Sequence, residues 1–451
     1  MPSRVNDHSL RYRHMPIRTV TSSGVSRRKF LIGAGALSIT CAPRPAQSFP
    51  SYASEFDPVT LPPYGNGTLA PGIRSRMVFN INGLSMHVLE AGFDEPDRPL
   101  VLLLHGFPDL CYCWRKIMVP LAAAGYHVIA PDQRGYGRTS GWDDAYDVDL
   151  GAFSLLTMAR DALALVEAFG YRSVAAVVGH DVGSFIAAWC ALIRPDVFRA
   201  VVLMSVPFTG PPALPFNSAN RSQAEEAAED SANNMRAQLA ALHPPRKFYQ
   251  HYYASREAND NLHHPPQGLH DFLWGYFYLK SADWKGNKPI PLKNASAAEL
   301  AQIPGYYIMD QSKGMAETVT ALAPSPVDIG ATPWLTEAEL DVYVSEWGRT
   351  GFQGALNFYR VFVDPSLIAQ LRLFAGRTID VPSAFFGGKS DWAVYMTPGA
   401  VDVMRSRACT RMQEYALLDG AGHWLQQEQP DPVCSALVSF LRNNTERSQR
   451  P

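Results

Sequence analysis

Asp181 stands between two glycines in Gly179-His180-Asp181-Val182-Gly183, after the apolar run Val174–Val178 and before the helical pattern Val182–Ile193. A glycine two residues on either side of a nucleophile marks a strand that turns sharply into a helix and lifts the central side chain above a sheet. Glycines permit a tight turn, and the first N–H groups of the helix favour negative charge at residue 181. An aspartate that merely caps that helix is the plainer reading of the same residues. Three other loops weigh against it. His105-Gly106-Phe107-Pro108-Asp109 follows the run Leu100–Leu104, where the Phe107 N–H could form an oxyanion hole with that of Val182. Gly388-Lys389-Ser390-Asp391-Trp392 follows strand-like Thr378–Phe386 and offers an acid. Gly420-Ala421-Gly422-His423-Trp424 follows Met412–Leu418 and offers a histidine. In chain order they run nucleophile, acid, histidine, the members of a catalytic triad.

Loops of this kind need a sheet to hold them. Met77–Ile81 and Leu84–Leu89 alternate around Gly83 and predict a hairpin. Leu100–Leu104, Val128–Ala130, Val174–Val178 and Ala200–Met204 are short apolar runs, with helical patterns over Leu155–Phe169 and Val182–Ile193 between them. Buried strands alternating with helices predict an α/β protein with a mostly parallel sheet flanked by helices. Ser173–Ile193 is apolar over the length of a membrane span, but His180 and Asp181 at its centre argue against one. Past Pro207 the alternation stops. Residues 208–375 are rich in aromatics and helix formers, and acidic, Ala-rich Arg221–Leu242 reads as a solvated helix. Strand patterns return at Thr378–Phe386 and Met412–Leu418, followed by a helix over Pro432–Leu441. The expected plan is a first half of the core at 76–207, a large helical cap inserted at 208–375, a second half at 376–445 and a tail at 446–451.

The order of the three loops is that of the α/β-hydrolase triad, and from His105 to Trp424 the chain resembles the soluble epoxide hydrolase family. Trp334-Leu335-Thr336-Glu337-Ala338-Glu339-Leu340, Tyr343 and Gly351-Phe352-Gln353-Gly354-Ala355-Leu356-Asn357-Phe358-Tyr359-Arg360 resemble the family's second-tyrosine segment. They place Tyr359 at its ring-opening tyrosine. Phe248-Tyr249-Gln250-His251-Tyr252-Tyr253 resembles the first-tyrosine segment and places Tyr249 at the other. Tyr306 is a rival for that role, because Gly314-Met315-Ala316-Glu317 follows it at a suitable distance. Tyr249 is preferred, since its surroundings run straight into the helical pattern Asn259–Tyr276. Extra residues around 211–245 and 265–333 depart from the family's cap and leave substrate size open.

The resemblance implies a small hydrophobic epoxide as substrate, a vicinal diol as product, and neither cofactor nor metal. A serine attacking an oxirane would end as a stable ether, whereas a carboxylate makes an ester that water can cleave. Tyr249 and Tyr359 would protonate the departing alkoxide. His423, held by Asp391, would then activate water against the ester carbonyl, with its oxyanion on the Phe107 and Val182 N–H groups. A haloalkane dehalogenase would share Asp181, Asp391 and His423. That family's usual tryptophan after the nucleophile and asparagine in the His-Gly loop are here Val182 and Phe107. A non-catalytic small-molecule binding protein on the same scaffold is the other alternative.

Composition agrees with a large buried core. Hydrophobic residues make up 47% and charged residues 18%, against roughly 25% charged in an average domain. Lys+Arg 40 against Asp+Glu 42 leaves a net charge of −2, which argues against a nucleic-acid partner. The N-terminus differs from the rest. Arg4, Arg11, Arg13, Arg18, Arg27, Arg28 and Lys29 face one acid, Asp7, and a short apolar run from Phe30 to Cys41 follows. Residues 1–46 resemble a twin-arginine signal, which implies a periplasmic or secreted protein, and 47–75 read as a linker. Beyond that signal stand Cys111, Cys113, Cys190, Cys409 and Cys434, an odd number that suggests buried thiols and no disulfide framework. Cys111 and Cys113 lack the second ligand pair of a zinc site. His180, His263 and His264 have no metal spacing and read as structural or exposed.

Overall fold

Strands too short and too apolar to alternate must be covered on both faces, and the chain satisfies this with one sheet between two helical layers. The computed structural model describes residues 61–214, 234–324 and 332–448. The signal-like segment and most of the helix expected over Arg221–Leu242 lie outside them; the described part of that helix is 234–240. Strands β1 (Ile73–Ile81), β2 (Leu84–Ala91), β3 (Leu100–Leu104), β4 (His127–Pro131), β5 (Ala176–His180) and β6 (Val201–Met204) come first. A small antiparallel ribbon, β7 (Arg246–Phe248) with β8 (Ile308–Asp310), belongs to the cap, and β9 (Ser383–Gly388) and β10 (Met412–Leu418) complete the core. The large sheet runs β1-β2-β4-β3-β5-β6-β9-β10. The hairpin β1–β2 joins β4 antiparallel, and every later pairing is parallel. Strands β3 to β6 are buried at every position. The chain leaves the sheet after Met204 and re-enters beside it at Ser383, which pairs with Val201.

Core helices α1 (Arg115–Ala123), α2 (Leu155–Ala168) and α3 (Val182–Ile193) precede that departure. The cap contains α4 (Tyr249–Tyr253), α5 (Ala258–His263), α6 (Leu269–Lys280), α7 (Met315–Leu322), α8 (Glu337–Thr350) and α9 (Gln353–Val363), and α10 (Pro430–Ser448) closes the core. Thr336 and Glu339 start α8 with a reciprocal capping box. Helix α8 is tied down over the His105–Asp109 loop. The Tyr343 hydroxyl donates to Asp109 at 3.1 Å, and the Trp347 indole donates to the Pro108 carbonyl at 2.8 Å. Buried ion pairs Arg115–Glu339 at 2.8 Å and Arg138–Glu346 at 2.7 Å continue the seam.

Several boundaries differ from expectation. Strand β1 starts at Ile73, inside the expected linker, because Arg74 and Arg76 both pair with the buried Glu90 across the hairpin. The strand expected over Thr378–Phe386 begins only at Ser383. Pro382 has no N–H for the ladder, and Ile379 makes only an isolated bridge to Cys409. The same strand runs on through Gly387 and Gly388, where a Cβ on Gly388 would lie 2.1 Å from the Gly422 carbonyl. Val174 likewise only bridges Phe198, so β5 begins at Ala176. The helical pattern Asn259–Tyr276 is two helices, α5 and α6, separated by Pro265, Pro266 and a left-handed Gly268. Helix α10 reaches Ser448, into the expected tail. Cys111, Cys113, Cys190, Cys409 and Cys434 are all free and buried. No helix among the described residues is long and apolar enough to cross a membrane.

Candidate active site

Asp181 occupies the turn from β5 into α3 with φ 52° and ψ −115°, a conformation that costs a non-glycine residue about 1–3 kcal/mol. The flanking glycines serve a different purpose from the turn itself. A Cβ on Gly179 would lie 2.0 Å from the Gly183 carbonyl oxygen, and one on Gly183 would lie 2.2 Å from that of Leu104. They let strand, helix and neighbouring strand close together while Asp181 alone takes the positive φ. Gly106 is needed for a similar reason, since a Cβ there would be 2.4 Å from that of Asp181. The Phe107 N–H then donates to Asp181 Oδ1 at 3.0 Å. Val182 opens α3 directly behind, so its N–H has no partner within the helix.

His423 and Asp391 arrive from the ends of β10 and β9. Both are buried, and His423 Nδ1 lies 3.2 Å from each Asp391 oxygen. The other ring nitrogen, Nε2, is 3.5 Å from Asp181 Oδ2 and has no hydrogen-bond partner among the described residues. Backbone contacts hold the imidazole from two sides. The His423 backbone N–H donates to the Lys280 carbonyl at 2.9 Å, and the His423 backbone carbonyl accepts from His180 Nε2 at 2.7 Å.

The charges are set by opposing influences. Burial works against an ionised Asp181, but the neighbouring His423 outweighs it and holds the carboxyl well below its usual range. Burial is likewise overcome at Asp391, by His423 first and then by Ser205 and the Ala393 N–H. Burial and the Lys280 charge oppose a proton on His423, yet Asp391 and Asp181 together raise its pKa above the ordinary value.

Over this group the cap places phenols. The Tyr359 ring meets Phe107 edge-on at 5.5 Å and lies 5.9 Å from the Tyr249 ring. Burial, reinforced by the Asp181 charge, holds both phenols well above their usual pKa, so both keep their protons. The rival segments for the first tyrosine turn out to be neighbours. Strand β7 pairs with β8, and the Tyr249 N–H donates to the Tyr307 carbonyl at 2.8 Å. Tyr306 points elsewhere, its hydroxyl bound to Asn287 and its ring edge-on to Trp284. Of the two rivals it is Tyr249 whose ring lies near Tyr359, and the Tyr253 ring packs there too, at 5.0 Å.

The α/β hydrolase fold family model matches residues 99–262. Epoxide hydrolase A of Mycobacterium tuberculosis is 32% identical over 380 residues, covering 82% of this chain and 98% of that protein. Epoxide hydrolase B of the same organism is 31% identical over 374 residues, covering 81% and 97%. The chain belongs to the epoxide hydrolase family. The solved structure of an epoxide hydrolase from an endophytic Streptomyces superposes with a TM-score of 0.66 at 31% identity, covering 84% of this chain and 97% of that one.

One residue close to the centre of this epoxide hydrolase site escaped the sequence reading. Ser205 follows β6 with φ 72°, and its hydroxyl donates to Asp391 Oδ2 while lying 2.8 Å from His423 Nδ1. The serine is thus nearer to Nδ1 than either carboxylate oxygen. Its position just past the apolar run Ala200–Met204, at the carboxyl edge of a parallel sheet where ligand sites gather, was the available signal. His180 is buried. Its Nδ1 faces Asp109 Oδ2 at 3.6 Å, and burial pushes Asp109 up to about 7 and His180 down to about 3. His263 and His264 are surface residues of the cap.

His87, Cys111 and Asp132 bring three potential metal donors together. Their atoms are occupied with one another. Asp132 accepts from His87 Nδ1 at 2.7 Å, the Cys111 N–H at 2.9 Å and the Arg138 N–H at 3.1 Å, and His87 Nε2 meets Ser75 at 2.8 Å. The cluster ties the loop after β4 to β2 and to the turn at Cys111.

Proposed function

We propose that the protein converts an epoxide and water into a vicinal diol through a covalent ester on Asp181. The arrangement of Asp181 carries this reading: one carboxylate oxygen is held by the Phe107 N–H, and the other is turned toward His423. Oδ2 attacks an oxirane carbon, the ring C–O bond breaks, and Tyr249 or Tyr359 gives the alkoxide its proton. Oδ1 becomes the ester carbonyl oxygen, already at the Phe107 N–H.

Ester formation changes the histidine as well. The negative charge at Asp181 that raised the His423 pKa is gone, so the imidazole gives up its proton more readily; that proton returns the phenolate left by ring opening to a phenol, and His423 can act as base. It takes a proton from water as the water adds to the ester carbonyl, and the oxyanion rests on the Phe107 and Val182 N–H groups. Collapse expels the product oxygen, which takes the proton held by His423 to complete the diol, and the Asp181 carboxyl left behind passes its own proton to His423 and is a carboxylate again. Turnover of a panel of aliphatic and aryl epoxides to diols tests the reading directly; a panel left wholly unconverted would overturn it.

Two substitutions bear on individual roles. Tyr249→Phe removes one donor to the developing alkoxide and should slow ester formation by about 10²-fold, while Tyr306→Phe should leave that step near the wild-type rate. Tyr249→Phe combined with Tyr359→Phe should be inactive toward epoxides. Single-turnover rates decide between them, and a crippled Tyr306→Phe beside an active Tyr249→Phe would reverse the assignment. Ser205→Ala should leave ester formation nearly intact but slow hydrolysis by up to about tenfold, because His423 loses the partner closest to Nδ1. Equal slowing of both steps would mean that Ser205 supports the fold rather than the histidine.

A further inference from the structure

Lys280 ends helix α6 and is 3% exposed. Its ammonium lies 4.8 Å from the ring centroid of Tyr307, 5.2 Å from that of Tyr276 and 5.3 Å from that of Trp424. No carboxylate and no hydrogen-bond acceptor meets it among the described residues. Burying an ammonium in this way is costly, and aromatic faces offset only part of the lost hydration. A second donor stands beside it. The Tyr307 hydroxyl is buried without a hydrogen-bond partner among the described residues, although the adjacent Tyr306 is satisfied by Asn287.

Both groups belong to the surroundings of the catalytic residues. The Tyr307 ring is 5.0 Å from that of Tyr249, and the Trp424 ring is 4.6 Å from that of His423. The Lys280 charge is felt at Asp181 and at His423. Two unfilled donors, one carrying a full charge, call for an anionic acceptor with more than one lone pair. Resting on the epoxide reading, we propose that Lys280 and the Tyr307 hydroxyl form a subsite that holds a carboxylate borne by the epoxide substrate. The preferred substrates are then epoxy acids in which a carbon chain spans from the oxirane at Asp181 to Lys280.

The competing account makes Lys280 a counter-charge for Asp181 and Asp391, and that role would serve every epoxide alike. Terminal epoxides carrying a carboxylate on chains of increasing length, compared with their methyl esters, separate the two. The readout is kcat/KM for the acid divided by that for its ester, so any general loss of turnover cancels. The wild type should favour the acid at one chain length. Lys280→Met should lower that ratio by about tenfold or more, Lys280→Arg should keep most of it, and Tyr307→Phe should lower it in part through KM. Tyr307→Phe carries the test should Lys280→Met fail to fold. A wild-type preference for the ester at every length, or a ratio that neither Lys280→Met nor Tyr307→Phe changes, overturns the subsite. A wild type that opens no epoxide sinks the epoxide reading instead. Calorimetric titration with the corresponding dihydroxy acids then decides the subsite by itself: saturable binding weakened in the variants supports it, and unchanged or absent binding overturns it.

Discussion

Asp181→Ala is expected to abolish epoxide turnover, with a loss of about 10⁴-fold or more. Among the described residues Asp181 is the carboxylate that the Phe107 N–H holds. His423 and Asp391 alone leave water to attack the ring without a covalent intermediate. Circular dichroism and the melting temperature separate lost chemistry from lost fold, and Asp181→Asn keeps the side-chain shape as a control. The isotopic counterpart uses the unaltered enzyme. In a single turnover in heavy-oxygen water, the label should enter the Asp181 carboxylate, because water adds to the ester carbonyl and the diol keeps an original aspartate oxygen. Label found directly in the diol would mean that water opens the ring, and the ester mechanism would be wrong.

His423→Gln should divide the reaction at its midpoint. Asp181 remains a carboxylate and the cap phenols remain donors, so the ester should form, but no base activates water against it. The alkylated enzyme should then accumulate and be visible by intact mass, with steady-state turnover falling by about 10²–10⁴-fold. A variant that shows neither adduct nor turnover would place His423 in the first step. Acid should imitate this variant. The Asp181 pKa is held below the ordinary carboxylate value and that of His423 is raised. At about pH 5 the aspartate is therefore still ionised while the histidine is largely protonated. Ester formation should persist as pH falls and hydrolysis should fail first, giving an adduct that clears when the pH is raised again. Loss of both steps at the same pH would place the controlling group elsewhere.

Much of the candidate site was legible from local pattern. The loops around Asp181, Asp391 and His423 each follow an apolar run, and a parallel sheet delivers the ends of such runs to one edge. Glycines beside them marked where backbones had to come close, although which of them turned the chain did not follow from type alone: Asp181 itself takes the positive φ. Boundaries were harder to read, because pairing decided them. Arg74 and Arg76 enter β1 on account of Glu90 across the hairpin, and Pro382 delays β9.

The cap shows where local pattern ends. Tyr249 and Tyr306 were rivals in the sequence because each sits in a plausible segment. Only the β7–β8 ribbon, joining residues about sixty positions apart, sets them side by side and turns Tyr249 toward Tyr359. Ser205 and Lys280 carry no motif at all. Their surroundings come from β6, β9, β10 and α6, distant in the chain, so partnership and isolation alike are properties of the packed molecule. The sequence by itself determined the order of the Asp181, Asp391 and His423 loops and the sheet that carries them, since both follow from short-range periodicity and turn chemistry. Which hydroxyl meets His423, which phenol faces its partner and which buried charge stays unpaired were decided by tertiary structure, because each depends on side chains that meet only after the cap folds onto the core.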